Sequence, residues 1–354
     1  MNWLAAGRID SIRYVRVKWP SMAEVSEIQG VTACRVSENS LSTLKVSGEL
    51  SFASNPMIGD DLVRVYSDSI LGSEKATVCH ATLFLTTPKT TYSSVSSSGV
   101  GNMYSVLWIL QQNRVEGAYS VDAGVEAVTL AADLARGYGN SLQVIVTPSQ
   151  AKTTTMHTWD DGTDYLTIVN DLLEIAGYAS ATVDGYGNVI MAPYTDPAGR
   201  AVAATFSDAI DSVSAPSFEA DFDIYEVPNV ISITCSNATE EPLKSVVEND
   251  DPENPYSTVS RGKRIVRSET VSDIANQAAL DAKARELLVS SMSQVEAATV
   301  EHSYQPFEMG DAVLIDYWGA GYSRKMTAVA RDIELVPGIR CKTRTRRFAN
   351  LLKE

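Results

Sequence analysis

The stretch Pro306-Phe-Glu-Met-Gly-Asp-Ala-Val-Leu-Ile-Asp-Tyr317 reads as a turn that runs into a strand. Pro306, Gly310 and Asp311 supply the turn chemistry, and the residues after them alternate, with Val313 and Ile315 on one side and Leu314 and Asp316 on the other. The pattern recurs near the N-terminus as Pro56-Met-Ile-Gly-Asp-Asp-Leu-Val-Arg-Val-Tyr66, where Gly59, Asp60, Val65 and Tyr66 find counterparts in Gly310, Asp311, Ile315 and Tyr317. A strand-like run precedes each copy, Leu44–Phe52 and Gln294–His302. A lysine and a long β run ending at proline follow each, Lys75–Pro88 and Lys325–Pro337. Several elements repeating in one order predict two related β domains, whereas a lone Gly-Asp would be ordinary turn chemistry.

Outward from these copies, residues 12–119 hold short runs rich in Val, Ile, Tyr, Thr and Leu, separated by Gly, Asn, Pro and Ser. Ser11–Lys18, Val31–Val36, Leu44–Phe52, Leu62–Tyr66, Thr77–Thr86 and Ser105–Gln111 are the expected strands, and their regular turns point to a barrel. The Ser-rich Thr91–Gly101 is expected to be an exposed hairpin or loop. From Val121 the period changes. Asp122 is placed to cap a helix running to Ala135, ended by Gly137. Leu142–Val146 reads as a strand stopped by Pro148. Tyr165, Ile168, Val169, Leu172, Leu173 and Ala176 form one helical stripe, capped from Asp161-Gly-Thr163 and closed by Gly177. Tyr178–Val183 and Val189–Met191 read as a hairpin around Asp184-Gly-Tyr-Gly-Asn188. Beyond it come a strand at Asn229–Cys235, a loop at 249–255, a strand at Gly262–Arg267, and a helix from Asp273 to Ser290 capped by Ser272. That helix carries Ile274, Ala278, Leu287 and Leu288 on its packed side. Strands at 294–302, 311–317, 324–335 and 339–347 finish the chain. The expected class is therefore α+β, mostly β: a first β-barrel domain at 1–120, a small α+β domain at 121–215, and a second β-barrel domain with an inserted helix at 216–354.

The 354 residues are 44% hydrophobic and 21% charged, the balance of a folded protein with two or three domains. No apolar run is long enough to span a bilayer, and the N-terminus lacks the basic region and apolar core of a secretory signal, so stable membrane insertion is not expected. Cys34, Cys79, Cys235 and Cys341 are scattered, without Cys-x-x-Cys spacing, and read as buried thiols. A net charge of −15 argues against general phosphate-backbone binding. The charge is uneven. Between Ala201 and Leu243 there is no Lys or Arg, but Asp208, Asp211, Glu219, Asp221, Asp223, Glu226, Glu240 and Glu241 are present. The C-terminus is the reverse, with Arg340, Lys342, Arg344, Arg346, Arg347 and Lys353. The alternating Arg340, Lys342, Arg344 and Arg346 share one face if this is a strand. Two readings stay open: a charged strand that discourages edge-to-edge aggregation, or an interface that docks on an acidic surface of a neighbouring subunit.

No catalytic set is legible. The three histidines, His80, His157 and His302, fall in separate regions. The sequence has no nucleophile elbow, no His-Glu-x-x-His pair and no phosphate-binding loop, so no catalytic, cofactor-binding or metal-ligating residue is assigned. His157 near Trp159, Asp160, Asp161 and Asp164 is the best local cluster, yet aspartates in a first helical turn explain it more simply than a metal does. Nothing marks two particular carboxylates for glycoside hydrolysis. Trp318 with Tyr317 and Tyr322 reads either as strand-end packing or as a carbohydrate-binding platform.

From Trp159 onward the sequence resembles the tail hub (baseplate hub) proteins of tailed bacteriophages. The carrying residues are Trp159-Asp-Asp-Gly-Thr-Asp-Tyr-Leu-Thr-Ile-Val-Asn-Asp-Leu-Leu-Glu-Ile-Ala-Gly-Tyr178, Asp184-Gly-Tyr-Gly-Asn188, Pro193-Tyr194-x-x-Pro197, Val227-Pro-Asn-Val230, the loop 248–258 and Arg261-Gly262. The N-terminal third matches only in character. The resemblance implies a homotrimer in which each chain gives two similar barrels, so that a pseudo-sixfold ring seats on a tail tube or distal tail ring. A threefold central spike, fibre or tip protein is received on the other side. It further implies a structural, non-enzymatic virion protein at the distal end of the tail, made in the host bacterial cytoplasm, with no sequence-specific nucleic acid binding. An acidic interior would suit DNA ejection, because like charge prevents sticking. Many relatives carry spike or peptidoglycan-cleaving extensions; this chain ends at Glu354, so such an activity is expected of a partner. The alternatives are a carbohydrate-binding tail-tip protein and a cell-wall hydrolase of the tail tip.

Overall fold

The computed structural model describes residues 1–354 apart from 5–6, 55, 57, 95–96, 140–141, 196–198, 210–211, 223–226, 236–242, 272–276 and 351–354. The chain is mostly β with a few helices, and it divides into two compact units. The first holds residues 1–216, 301–323 and 328–343; the second holds 217–300, 324–327 and 344–354.

Seven antiparallel strands carry the first unit: β1 (Ile9–Lys18), β2 (Ala23–Glu27), β3 (Val31–Asn39), β4 (Val46–Phe52), β5 (Leu62–Leu71), β6 (Glu74–Tyr92) and β7 (Ser97–Ser105). Their order is β3-β4-β7-β6-β5-β1-β2. Pleating sends Val36, Leu50, Val63, Val65, Leu83 and Met103 into one core, where all six are buried. The Ser-rich stretch is the end of a hairpin, with Thr91 opposite Ser98 and Tyr92 opposite Ser97. The expected strand at Ser105–Gln111 is instead α1 (Leu107–Gln112). Its apolar residues are helix-spaced in effect: Leu107 and Leu110, one turn apart, are the buried pair.

The small mixed region has β8 (Tyr119–Val121), α2 (Ala127–Tyr138), β9 (Val144–Val146), β10 (His157–Trp159), α3 (Tyr165–Ile175), β11 (Thr182–Val183) and β12 (Val189–Met191). Helix α2 starts five residues after Asp122. Residues 124–127 are held by a distant segment, with Gly124 N–H donating to Thr153 O at 2.8 Å and Thr153 N–H to Val125 O at 2.9 Å. Asp122 therefore caps nothing; its carbonyl accepts from the Thr153 hydroxyl at 2.7 Å. Helix α3 is capped by Asp164, not by 161–163, and its stripe is buried from Tyr165 to Leu173. The expected hairpin forms, and its turn docks on β6: the Thr82 hydroxyl donates to Gly185 O at 2.8 Å. A Cβ on Gly185 would overlap the Cys79 carbonyl oxygen, so only glycine lets the two backbones approach this closely.

Downstream in the same unit, β13 (Val202–Ser207) pairs in parallel with residues 312–317. The second unit contains β14 (Ser214–Phe222), which begins in the first, then β15 (Val230–Cys235), β16 (Leu243–Glu248), α4 (Thr258–Arg261), β17 (Val266–Val271) and α5 (Gln277–Met292). A three-stranded sheet β16-β15-β17 packs on α5 through Ile231, Ile233, Leu280, Ala284 and Leu288. Ala278 is exposed, because the packed row follows the i, i+4, i+8 spacing from Leu280; Ser272, Asp273 and Ile274 lie outside the described residues. The chain ends with β18 (Ser293–Ser303), β19 (Ala312–Tyr317), β20 (Tyr322–Glu334) and β21 (Arg340–Asn350), and residues 330–334 of β20 pair with β3.

The two Gly-Asp turns are built alike, one residue out of the sequence register. Asp61 N–H donates to Ile58 O at 3.2 Å, and Asp311 N–H donates to Glu308 O at 3.1 Å. Asp61 rather than Asp60 thus stands where Asp311 stands, directly before its strand. Each carboxylate meets an arginine, Arg16 Nε at 2.6 Å from Asp61 and Arg200 Nη1 at 3.3 Å from Asp311. In that register Val63 and Val65 match Val313 and Ile315, and all four are buried.

Candidate assembly surfaces

Two of the three histidines are hydrogen-bonded into the fold. His80 lies buried in the sheet, with Nε2 2.7 Å from the Ser67 hydroxyl and its ring against Tyr304 at 4.9 Å. Burial, aided by the Arg331 guanidinium, pushes its pKa down to about 3. His302 donates from Nδ1 to Ser303 O at 2.7 Å and has Nε2 2.8 Å from the Thr343 hydroxyl. Burial lowers its pKa to about 4. The cluster around His157 disperses into separate tasks. Asp164 caps α3, Asp161 accepts from Gly117 N–H at 2.8 Å, and the Trp159 indole donates to Asp171 at 2.7 Å. Among the described residues no three His, Cys, Asp or Glu side chains gather as a metal site requires. Burial pushes the Cys34, Cys79 and Cys341 thiols up to about 12, which keeps them protonated and inert. An open hollow of about 500 Å³ beside α1 is lined by Trp108, Ile109, Gln112 and Asn113 and offers no titratable group.

Arg331, which the sequence does not single out, is a deeply buried charge, 4% exposed. Its Nε donates to Glu38 at 2.8 Å and its Nη1 to Gln305 O at 3.1 Å, and its guanidinium lies 4.5 Å from the Phe307 ring centre. Burial opposes the charge, but the Glu38 carboxylate outweighs burial and raises the arginine's pKa. No local signal marks this pair, since 293 residues separate the partners.

The surface carries clearer features. On β21, Cys341, Thr343 and Thr345 are buried, and the alternate Arg340, Lys342 and Arg344 are exposed. The period-two expectation holds for these three. Arg346 is half-buried, and its Nε lies away from solvent without a hydrogen-bond partner among the described residues. Lys342 reaches Glu301 at 4.0 Å, and the neighbouring Arg347 reaches Glu296 at 3.6 Å. Of the acids counted between 201 and 243, Asp208, Glu219 and Asp221 are described and exposed; Asp211, Asp223, Glu226, Glu240 and Glu241 lie outside the described residues.

Trp318 is 88% exposed at the β19–β20 turn, whereas Tyr317 is 2% exposed and donates its hydroxyl to Ala215 O at 2.6 Å. The two rings therefore do not form one platform. The turn itself is fixed: Asp208 accepts from Trp318 N–H at 3.1 Å and from Gly319 N–H at 2.8 Å.

No protein-family model matches the sequence, and no curated protein matches it. Solved structures do. A tail protein from Neisseria meningitidis MC58 superposes with a TM-score of 0.68 at 14% identity, over 98% of each chain. The 43 kDa tail protein of prophage MuSo2 from Shewanella oneidensis gives 0.67 at 12% identity, covering 95% of this chain and 98% of its own. A chain of the Francisella PdpA-VgrG complex gives 0.61 at 10% identity, and 98% of this chain spans 59% of it. The chain has the fold of phage tail proteins, as the resemblance from Trp159 onward predicts.

Proposed function

We propose that this chain is a structural, non-enzymatic protein of a phage tail: a homotrimeric hub at the distal end that joins a sixfold tail tube to a threefold spike or tip. The observation that carries the reading is fold likeness along the whole length, 98% of this chain against 98% of the Neisseria tail protein. Symmetry supplies the mechanism. Three copies of a chain holding two related β domains present six similar surfaces, which match a sixfold tube, while the trimer axis itself matches a threefold partner. The two turns anchored by Asp61–Arg16 and Asp311–Arg200 support that internal relation. A net charge of −15 per chain suits a conduit for DNA, whose phosphates like charge would repel from the wall. The protein would be made in the host cytoplasm and carried in the virion, with the tube or a distal ring above it and a spike, fibre or tip below. No helix among the described residues is long and apolar enough to cross a membrane.

Light scattering on the purified chain tests the reading. A mass near three times 38.3 kDa, with cosedimentation on the assembled tube protein, is expected. A stable monomer that ignores the tube overturns it, and clearing of a peptidoglycan suspension by the pure chain overturns the non-enzymatic part. One observation favours a second reading: Trp318 sits on a turn whose backbone Asp208 anchors and presents its ring to solvent, as a carbohydrate-stacking residue of a tail tip would. Retention on host cell walls that Trp318→Ala abolishes would establish it.

A further inference from the structure

Taking the proposed trimer as its premise, we infer that neighbouring copies meet through an electrostatic contact. The basic row Arg340, Lys342 and Arg344 on β21 of one copy faces the acidic row Glu219 and Asp221 on β14 of the next. Strand order decides between the two readings of the basic row. β21 lies between β18 and β20, so both its edges are already hydrogen-bonded, and its charges have no free edge to guard. The row is also fixed outward, because its alternates Cys341, Thr343 and Thr345 are 2%, 0% and 0% exposed. Arg340 and Arg344 have no ion-pair partner among the described residues, and Lys342 has only Glu301 at the limit of 4.0 Å. The complementary charge sits on β14, the last strand of the same path, where Glu219 and Asp221 are exposed two residues apart and likewise have no cationic partner among the described residues. In a chain of net charge −15, one outward basic row and one outward acidic strand form a matched pair whose members are different patches. Contacts between different patches repeat head to tail, and a rotation that closes them gives a ring.

The test uses the full chain and its mass by light scattering against protein concentration. R340E/K342E/R344E and E219K/D221K should each raise the concentration at which the trimer dissociates by about tenfold or more. The five-site variant carrying both reversals should restore it, an outcome that loss of fold or of packing would not produce. Thermal melts report whether each variant is folded. Should a reversed chain not fold, R340Q/K342Q/R344Q carries the same test with a smaller loss. A trimeric wild type whose mass the reversals leave unchanged overturns the contact alone, as does failure of the folded five-site variant to reassemble. A wild type that is monomeric at every concentration overturns the contact, and it overturns the hub reading as well when it also fails to cosediment with the assembled tube protein.

Discussion

At the scale of single residues, the first unit holds polar groups largely shielded from water, and their environments fix what substitutions do. Glu38 and Arg331 form such a pair, with the arginine side chain 4% exposed. Glu38→Ala strands a buried guanidinium, whose only other hydrogen bond among the described residues is to the Gln305 carbonyl. The expected cost is about 3 kcal/mol, read as a lower urea midpoint at unchanged m-value; a shift under about 1 kcal/mol would mean the charge is reached by water. His80 and His302 set the pH response. Their folded pKa values, about 3 and about 4, lie below the ordinary 6.5, so between pH 6.5 and 4 the unfolded chain binds protons that the folded chain refuses. Stability attributable to them is complete above pH 6.5 and is lost as pH falls. From pH 7 to pH 5 each should remove about 2 kcal/mol. His80→Gln keeps a partner for the Ser67 hydroxyl and should abolish one such share; an unaltered pH slope in that variant would show that His80 is reached by protons in the folded state.

Among the elements, what the sequence could reveal followed from how local each cause is. Helix α3 was legible because its stripe repeats at 3.6 residues and Gly177 closes it with φ +70°, and only its cap was displaced. Asp161 and Asp164 are both good cap residues, and the choice between them rests on Asp161 being taken by Gly117 from another segment. Asp164 accepts from Thr167 N–H at 2.9 Å and from the Thr167 hydroxyl at 3.0 Å. Asp164→Ala should therefore cost about 1 kcal/mol, and Asp161→Ala clearly less. Equal losses in the two variants, measured by thermal melting, would contradict this assignment. The start of α2 and the identity of α1 were not legible, for two reasons. Residues 124–127 are held by 151–153, a contact with no local signature, and the five-residue run Val106–Leu110 carries no more helical than strand period. The basic row of β21 was legible because a two-residue period is local. Its half-buried fourth member, Arg346, was not, because burial there is decided by neighbours in space.

For the whole molecule, charge acts at two ranges with opposite signs, and their balance predicts how assembly responds to salt. Each chain carries −15, so three copies repel over the full width of the particle. That repulsion is long-ranged: at about 10 mM salt the screening length is about 30 Å, and the copies feel most of it. The contact between the Arg340–Arg344 row and Glu219 with Asp221 is short-ranged, and at about 150 mM, where the screening length is about 8 Å, it survives while the repulsion largely does not. At about 1 M the length falls to about 3 Å and the contact weakens too. The trimer should therefore be most stable near physiological ionic strength and should dissociate at higher protein concentrations on either side of it. R340E/K342E/R344E should retain the rise from 10 to 150 mM, since the global repulsion remains and grows, and should lose the fall towards 1 M. A wild-type mass that keeps rising to 1 M would sink the electrostatic contact and assign the association to apolar burial, which added salt strengthens.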